Sequence, residues 1–245
     1  MRTYGLIGFP LTHSFSQKYF TEKFREEGIG GCRYELFPIE SVNEVPALLQ
    51  SNPSLRGLNV TIPYKQSILS YLDDSTHIPA GLQACNCIRI KDGKLAGYNT
   101  DTTGFERSLL PHLKEHHTHA LILGNGGAAA AIKYVLDKLS IGYRVVSRKR
   151  GDVSVLAYAD IDEAIITDHP LIINTTPLGT YPDTGSCPDI PYRFLTARHL
   201  LYDVVYNPAK SLFLQKGEDS GAGIKNGYEM LVQQAEESWR IWNED

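Results

Sequence analysis

The sequence predicts a two-domain α/β protein, and three patterns support this fold class. After about residue 101, short apolar strands alternate with helical segments, which is typical of a parallel sheet covered on both faces. One of these strands, ALIL (120–123), runs into a glycine-rich turn and an alanine-rich helix. The last helix, from about Tyr228, carries an apolar stripe, so we expect it to dock back onto structure formed earlier in the chain. The stripe comprises Leu231, Ala235, Trp239 and Trp242.

Composition excludes several functional classes. The chain has 245 residues, 42% of them hydrophobic, and a net charge of −4, which indicates a globular protein of one or two domains. The slight acidity disfavours a broad nucleic-acid surface. No apolar run approaches the roughly 18 residues of a membrane span, and glycine and proline break the N-terminal segment before a signal-type core forms. The cysteines, at 32, 85, 87 and 187, lack paired spacing, so we expect reduced thiols and a cytoplasmic location.

The first hundred residues mix strands with helices. Strands are predicted at 3–8, 32–37 and 57–61. A helix is expected from Ser14 to about Glu27, and Pro63 suits the first turn of a second helix through Leu72. Two further strands, CIRI and LAGYN, form a hairpin around Asp92 and Gly93.

The second half follows a boundary near residues 101–104. A helix at about 102–110 is followed by strands at 120–123, 143–147, 171–174 and 200–206, with a helix at 128–140. This β-α-β rhythm predicts a parallel sheet.

The turn after ALIL reads Gly124-Asn125-Gly126-Gly127-Ala128-Ala129, a G-x-G-x-x-A motif between a strand and a helix. Its glycines permit close backbone approach, and the helix N-terminus offers unpaired N–H groups to a pyrophosphate. We therefore predict dinucleotide binding; the alternative is a glycine-rich turn of another α/β sheet.

The following strand indicates which dinucleotide binds. NAD sites place an acid about 20 residues on, to bond the ribose 2′-hydroxyl. Here the strand ends in Ser147-Arg148-Lys149-Arg150, and Asp152 comes late. A basic cluster clamps a 2′-phosphate, so NADP is the predicted cofactor, with a solvated basic loop as the alternative.

Polar residues follow several apolar runs, where ligands of open α/β sheets bind. They are His13, Ser14, Ser16, Asn59, Thr61, Lys65, Asn86, Asn99-Thr100-Asp101, Asn174-Thr175-Thr176-Pro177 and Tyr206-Asn207-Pro208. Each alone has a structural explanation, such as a helix cap formed by Ser14 and Gln17. Together they indicate a hydroxyl-rich, anionic small substrate. The spacing of these residues along the sequence does not indicate whether Lys65 and Asp101 lie close together in the fold.

These segments resemble the shikimate dehydrogenase family over nearly the whole chain. The blocks that carry the resemblance are GFPLTHSFSQ (8–17), GLNVTIPYK (57–65), ACN (84–86), GYNTDTTGF (97–105), GNGGAAAA (124–131), SRK (147–149), NTTPLG (174–179), DVVYNP (203–208) and NGYEMLVQQA (226–235). Gln17, Cys87 and Ser147 depart from the family's usual residues and leave the other named positions intact.

The resemblance implies an N-terminal α/β substrate-binding domain at 1–102, completed by a returning C-terminal helix at 227–245. A Rossmann-type NADP-binding domain is implied at 103–226, with a cleft between the two. The family reaction is the reversible, NADPH-dependent reduction of 3-dehydroshikimate to shikimate, in the cytoplasmic route to aromatic amino acids. The partners are then small molecules, with no nucleic acid and no membrane, and the protein is a monomer or a homodimer.

The resemblance also implies roles for individual residues. Ser14 and Ser16 would hold the substrate carboxylate. The substrate hydroxyls and the rest of its site would be contacted by Asn59, Thr61, Asn86, Gln234 and Tyr206. NADP would be contacted by Gly124, Asn125, Gly126, Gly127, Ala128, Ser147, Arg148, Lys149, Thr175, Thr176, Pro177, Val205 and Gly227. Lys65 and Asp101 would be the catalytic pair, since a lysine held by a carboxylate can take and return the hydroxyl proton. No metal is expected, because an ammonium group can stabilise the developing alkoxide.

Three alternatives stay open. The first is a quinate/shikimate dehydrogenase that uses NAD, and the second is a catalytically idle NADP-binding sensor. The third is a dinucleotide-binding domain that serves only in assembly. A histidine cluster (His112, His116, His117, His119) is interpreted as a solvated loop rather than a metal site, and Cys85 and Cys87 as buried small residues.

Overall fold

The computed structural model describes residues 1–11, 14–148 and 155–244. The chain forms two compact units. The first comprises Met1–Thr103 together with Val232–Asp245, and the second comprises Gly104–Leu231. Among the described residues, no helix is long and apolar enough to cross a membrane.

The first unit is built on a five-stranded mixed sheet. Its elements are β1 (Arg2–Gly8), α1 (Phe15–Glu26), β2 (Cys32–Pro38), α2 (Val45–Ser51), β3 (Leu55–Val60), β4 (Cys87–Lys91) and β5 (Lys94–Tyr98), followed by the start of α3 (Thr100–Leu109). The strand order is β2-β1-β3-β4-β5. Strand β1 pairs in parallel with β2 and β3, whereas β4 pairs antiparallel with both β3 and β5.

The predicted hairpin is confirmed. Strands β4 and β5 are joined by Asp92 and Gly93, both with positive φ (51° and 75°), as in the tight turns whose twist matches paired strands. The predicted helix from Pro63 to Leu72 is wrong. That segment forms turns and then a 3₁₀ helix, Ser67–Tyr71. The carbonyl of Lys65 accepts a hydrogen bond from the Cys85 N–H at 2.8 Å and is therefore not used in a helical ladder.

The second unit is built on a six-stranded parallel sheet. After the rest of α3 it contains β6 (His119–Leu123), α4 (Gly127–Lys138), β7 (Gly142–Val146), β8 (Val155–Leu156), α5 (Glu163–Asp168), β9 (Leu171–Asn174), β10 (Leu200–Asp203), α6 (Leu212–Asp219), β11 (Gly223–Lys225) and the start of α7 (Tyr228–Trp242). The order is β11-β10-β9-β6-β7-β8. Counted from β6 as the first strand, this is the 3-2-1-4-5-6 order of dinucleotide-binding Rossmann domains.

Alternating side chains of β6 place apolar residues in two cores, one on each face of this sheet. Ala120 and Ile122 pack with Ile132 and Val135 of α4. Leu121 and Leu123 pack on the opposite face with other residues, including Phe213 of α6. The run LLYDVVY ends as a strand at Asp203 rather than at 206, because the Asp203 carboxylate accepts the Val205 N–H at 3.0 Å and turns the chain.

The C-terminal helix α7 packs on the sheet of the first unit. Trp242 stacks on Tyr4 with ring centroids 5.0 Å apart, and its indole N–H donates to the Ile88 carbonyl at 3.0 Å. Gly57 of β3 makes this approach possible, since a Cβ there would lie 2.3 Å from the Trp242 ring. Ala235 is fully buried in the same aromatic core, as expected from the stripe.

Candidate active site

An ion pair between Lys65 and Asp101 is at the centre of the candidate site. The Lys65 Nζ lies 2.6 Å from Asp101 Oδ2, and Asp101 Oδ1 accepts the Asn86 side-chain N–H at 2.8 Å. The Lys65 and Asp101 side chains are 25% and 16% exposed, so a small molecule can reach the pair. The two residues are 36 positions apart, and only the fold brings them together.

Backbone pairing in the first unit fixes the positions of these groups. Asn86 lies just before β4; its N–H donates to the Tyr98 carbonyl at 3.1 Å, and its carbonyl accepts the Val60 N–H at 2.9 Å. Strand β3 and strand β5 are thus both tied to Asn86. Lys65 follows β3, and Asp101 lies in the first turn of α3, shortly after β5, so the same backbone ties bring the two side chains together.

A buried hydrogen-bond network extends from Asn86 to four other polar residues. The Asn86 amide bonds both the N–H and the hydroxyl of Thr100, at 2.6 and 3.1 Å. The Thr100 hydroxyl lies 3.2 Å from that of Ser238, which accepts the Asn59 side-chain N–H at 3.0 Å. Gln234 is 3.5 Å from Thr100. The structure therefore joins Asn59, Asn86 and Gln234, three of the residues predicted to bind substrate hydroxyls.

The remaining predicted substrate residues of the first unit lie at the ends of elements. Ser14 caps α1 by accepting the Gln17 N–H at 3.2 Å, the predicted cap. Ser16, in the first turn of α1, forms a hydrogen bond with the Tyr34 hydroxyl. Burial raises the pKa of Tyr34 well above its usual value, and the hydrogen bond from Ser16 opposes that shift. Thr61 follows β3 and donates its backbone N–H to the Ile7 carbonyl at 3.0 Å. His13 lies outside the described residues.

The glycine-rich turn of the second unit has space for a pyrophosphate. Gly124 has φ +106°, and a Cβ there would lie 2.7 Å from Thr175 Oγ1. At Gly126 and Gly127 a Cβ would meet nothing within 4 Å, so both backbones face open space. Gly126 caps α4 without a side chain, which leaves the first N–H groups of a 12-residue helix available to an anion. These residues fit a dinucleotide phosphate.

The rest of the turn and the basic segment after β7 are only partly described. Asn125 accepts Lys133 Nζ at 2.9 Å, and Ala128 lies half-buried in the first turn of α4. Ser147 donates its N–H to the Leu156 carbonyl at 2.9 Å. Arg148 is exposed; burial raises the pKa of Tyr158, and the Arg148 charge opposes that shift. Lys149, Arg150 and Asp152 lie outside the described residues.

A buried carboxylate joins the ends of β9 and β10. Asp203, fully buried, accepts hydrogen bonds from Asn174 Nδ2 at 2.9 Å, from the Val205 N–H and from the Ser211 hydroxyl. Burial raises the pKa of Asp203 to about 6, and these three hydrogen bonds oppose the shift. The Asn174 oxygen in turn accepts both the N–H and the hydroxyl of Thr176.

This arrangement positions the other predicted cofactor residues. Thr175 donates its N–H and hydroxyl to the Leu123 carbonyl, both at 2.9 Å, and Pro177 follows exposed. The Val205 carbonyl accepts the Gly227 N–H at 3.1 Å. A Cβ at Gly227 would lie 2.2 Å from the Val204 carbonyl oxygen, so glycine is required there. Tyr206 lies just after β10 with 39% of its surface exposed.

The histidine cluster is not a solvated loop throughout. His117 is buried; its Nδ1 accepts the Lys114 N–H at 2.9 Å, and both it and His116 hydrogen-bond the Arg198 carbonyl. The solvated-loop interpretation is therefore wrong for His117, which is held by hydrogen bonds to the backbone of Lys114 and Arg198. Among the described residues, no group of three His, Cys, Asp or Glu side chains is placed to hold a metal.

The buried-cysteine interpretation is confirmed. Cys85 and Cys87 are fully buried. Burial raises the pKa of both thiols, that of Cys85 to about 11, so they are protonated and unreactive.

Sequence reasoning did not single out Tyr34, Ser238 or Asp203. Ser238 had a detectable signal, because it is a polar residue four positions after Gln234 on the packed side of α7. Asp203 had one too, as a lone carboxylate within LLYDVVY. Tyr34 had none, since a tyrosine in an alternating strand is ordinary.

Comparisons with known proteins agree with this geometry. Residues 6–88 match the family model of the shikimate dehydrogenase substrate-binding domain. A shikimate dehydrogenase (NADP(+)) of Clostridium beijerinckii is 39% identical over 259 aligned positions, which cover 100% of this chain and 93% of that protein. The chain belongs to the shikimate dehydrogenase family.

Solved structures of the family and of a related enzyme share the fold. The shikimate 5-dehydrogenase of Thermus thermophilus, in complex with NADP(H) and shikimate, is 25% identical with a TM-score of 0.86, covering 99% of this chain and 94% of that one. The quinate dehydrogenase of Corynebacterium glutamicum, in complex with NAD, has the same identity and TM-score and covers 99% and 93%. Fold likeness therefore does not choose between NADP and NAD.

The pKa of Asp203 predicts a pH-dependent stability. Its native pKa, about 6, exceeds the ordinary 3.8, so the native state holds the proton more tightly than the unfolded chain. The stabilisation is complete below about pH 4 and is lost as the pH rises through 6, a loss of about 3 kcal/mol. Asp203→Asn removes this dependence.

Urea unfolding of both proteins at about pH 4 and about pH 7 measures the effect. The free energy of unfolding of the variant, relative to the parent, should rise by about 2 kcal/mol between the two pH values, because the unfolded carboxyl is already partly ionised at pH 4. An unchanged difference would show that Asp203 titrates in its ordinary range.

Proposed function

We propose that this chain catalyses the reversible, NADP-dependent interconversion of shikimate and 3-dehydroshikimate. The observation that carries the proposal is the Lys65–Asp101 pair at 2.6 Å, held by Asn86 within a chain of this family. An idle sensor of the same fold would not need an accessible lysine–carboxylate pair.

The proposed chemistry assigns the proton to this pair. In oxidation, the substrate carbinol carbon loses a hydride and its hydroxyl loses a proton, which Lys65 Nζ accepts while the carbonyl forms. In reduction, the Nζ–H donates a proton to that oxygen. Asp101 Oδ2 holds the amine in place and stabilises its charged form. When bound, the nicotinamide accepts or supplies the hydride.

Substrate recognition is assigned to the first unit. Ser14 and Ser16 lie at the N-terminus of α1, a 12-residue helix whose dipole favours the substrate carboxylate. Hydroxyl recognition is assigned to Asn59, Thr61, Asn86 and Gln234, with Tyr206 of the second unit as a further contact. The joined network of Asn59, Asn86 and Gln234 supports this assignment.

Cofactor binding is assigned to the second unit. The open backbones of Gly126 and Gly127 and the start of α4 would hold the pyrophosphate. The basic residues that follow β7, Arg148 and Lys149, would hold the 2′-phosphate, where an NAD enzyme needs an acid. The other proposed cofactor contacts are Gly124–Ala128, Ser147, Thr175–Pro177, Val205 and Gly227. A cytoplasmic location is part of the proposal, supported by four cysteines outside any disulfide.

Nicotinamide absorbance tests the function with shikimate or quinate, each combined with NADP or NAD. Shikimate with NADP should give the highest kcat/KM, on the order of 10-fold or more above shikimate with NAD, because one charge-assisted phosphate contact contributes that much. Arg148→Ala should raise the KM for NADP and leave that for NAD unchanged.

Two outcomes would contradict the proposal. Faster turnover of quinate with NAD would identify a quinate/shikimate dehydrogenase and remove the role of Arg148. NADP binding without turnover of either substrate would identify a sensor.

Lys65→Ala tests the proton-transfer role. It should lower kcat by roughly 10²–10⁴-fold, while the KM for shikimate changes by no more than about threefold, since general acid–base catalysis acts in the transition state. Steady-state kinetics measure both. Lys138→Ala is the matched control, because Lys138 is paired with Glu106 at 2.8 Å outside the site, and its kcat should equal the parent's. Equal kcat in Lys65→Ala would remove Lys65 from the chemistry.

A further inference from the structure

Ser238 connects the C-terminal helix to the polar network. It is fully buried on α7, and no assignment above gives it a role. Its hydroxyl donates to the Gln234 carbonyl one turn earlier, at 2.9 Å. That uses the only proton of Ser238, so its oxygen acts as an acceptor toward its other neighbours, which are Asn59, Thr100 and the Cys87 thiol.

The hydrogen bonds around Asn59 fix the orientation of its amide. One side-chain N–H donates to Ser238 Oγ at 3.0 Å, and the other reaches the Asn86 backbone carbonyl at 3.3 Å. Because a backbone carbonyl can only accept a hydrogen bond, the Asn59 side-chain atom that faces the Asn86 carbonyl must be Nδ2 and not Oδ1. On the opposite side, Asn59 Oδ1 accepts the Tyr34 hydroxyl at 2.8 Å. Both N–H groups are therefore used within the protein, and one lone pair of Oδ1 is left.

Asn86 is fixed in the same way. Its Oδ1 accepts the Thr100 backbone N–H, and its Nδ2 donates to the Asp101 carboxylate and the Thr100 hydroxyl. A backbone N–H only donates and a carboxylate only accepts, so this amide has one possible orientation. The Thr100 hydroxyl has three acceptors within reach: Ser238 Oγ at 3.2 Å, Asn86 Oδ1 at 3.3 Å and Gln234 Oε1 at 3.5 Å. Asn86 is thus oriented by its own partners, and Ser238 accepts directly from the Asn59 amide alone of these two.

We propose that Ser238 is a positioning residue that turns the N–H groups of Asn59 into the protein, so that only the carbonyl oxygen of Asn59 meets the substrate. The site then selects a substrate hydroxyl that donates a hydrogen bond at that position. This inference rests on the proposed function, since it concerns how the site recognises a hydroxyl group of shikimate. Ser238 acts through Asn59 and touches no substrate itself.

Kinetics of Ser238→Ala with three substrates test the inference: shikimate, 4-deoxyshikimate and 5-deoxyshikimate. These analogues each lack one of the two hydroxyls that do not react. The variant should raise the KM for shikimate about 10-fold and lower kcat by less than about threefold, as expected for one misplaced neutral hydrogen bond. With one of the two analogues, parent and variant should have equal KM values, because the hydroxyl that Asn59 reads is absent.

Ser108→Ala is the matched control. Ser108 is the same residue type, equally buried, and bonds the Tyr202 hydroxyl at 2.6 Å in the second unit. Its KM for shikimate should equal the parent's even where its melting temperature falls. An unchanged KM in Ser238→Ala, or the same rise with shikimate and both analogues, would overturn the inference. An inactive parent enzyme would instead contradict the proposed function.

Ser238→Cys covers the case in which the alanine variant does not fold. A thiol is somewhat larger than a hydroxyl and leaves no cavity, and it is a weaker acceptor, so the KM for shikimate should rise by less than in the alanine variant and show the same dependence on one analogue. A parent-like KM in this variant would equally overturn the inference.

Discussion

The hydrogen bonds on the Asp101 carboxylate are the constraint on which the candidate site depends. One oxygen binds Lys65 and the other binds Asn86, so a single charged group orders both the proposed proton carrier and the proposed substrate ligand. Because Asn86 is itself tied by its backbone to β3 and β5, the pair is positioned by the sheet and not by flexible loops. Rigid support of this kind is what keeps a proton donor within reach of a reacting oxygen.

The two units position their residues by different physical means. In the first unit, a chain of buried hydroxyls and amides orients side chains, and the amide orientations of Asn59 and Asn86 each follow from a partner that only donates or only accepts. In the second unit, backbone space matters more. Gly124 and Gly227 each occupy positions where a Cβ would meet a neighbour, while Gly126 and Gly127 leave their surroundings open. Asp203 joins the ends of β9 and β10, and the free energy of unfolding falls as its buried carboxylate ionises.

Local patterns in the sequence were sufficient for the type and order of the elements that are long and periodic. The hairpin at Asp92–Gly93, the glycine turn after β6 and helix α7 all follow from neighbouring residues. The helix expected from Pro63 failed because the Lys65 carbonyl bonds to Cys85, 20 positions later, and no local rule contains that contact. Local sequence patterns could not indicate the Lys65–Asp101 pairing or the role of Ser238 for the same reason. Both depend on which strands are neighbours, and the sheet order is set by long-range packing.

The most direct test of the central claim is a double-mutant cycle on kcat with Lys65→Ala, Asp101→Asn and the double variant. If the two residues act as one proton-transfer unit, the double variant should have a kcat within about threefold of Lys65→Ala alone, because residues that act together lose activity together. Losses that multiply, so that the double variant falls by the product of the single effects, would contradict the claim and show that Asp101 acts independently of Lys65.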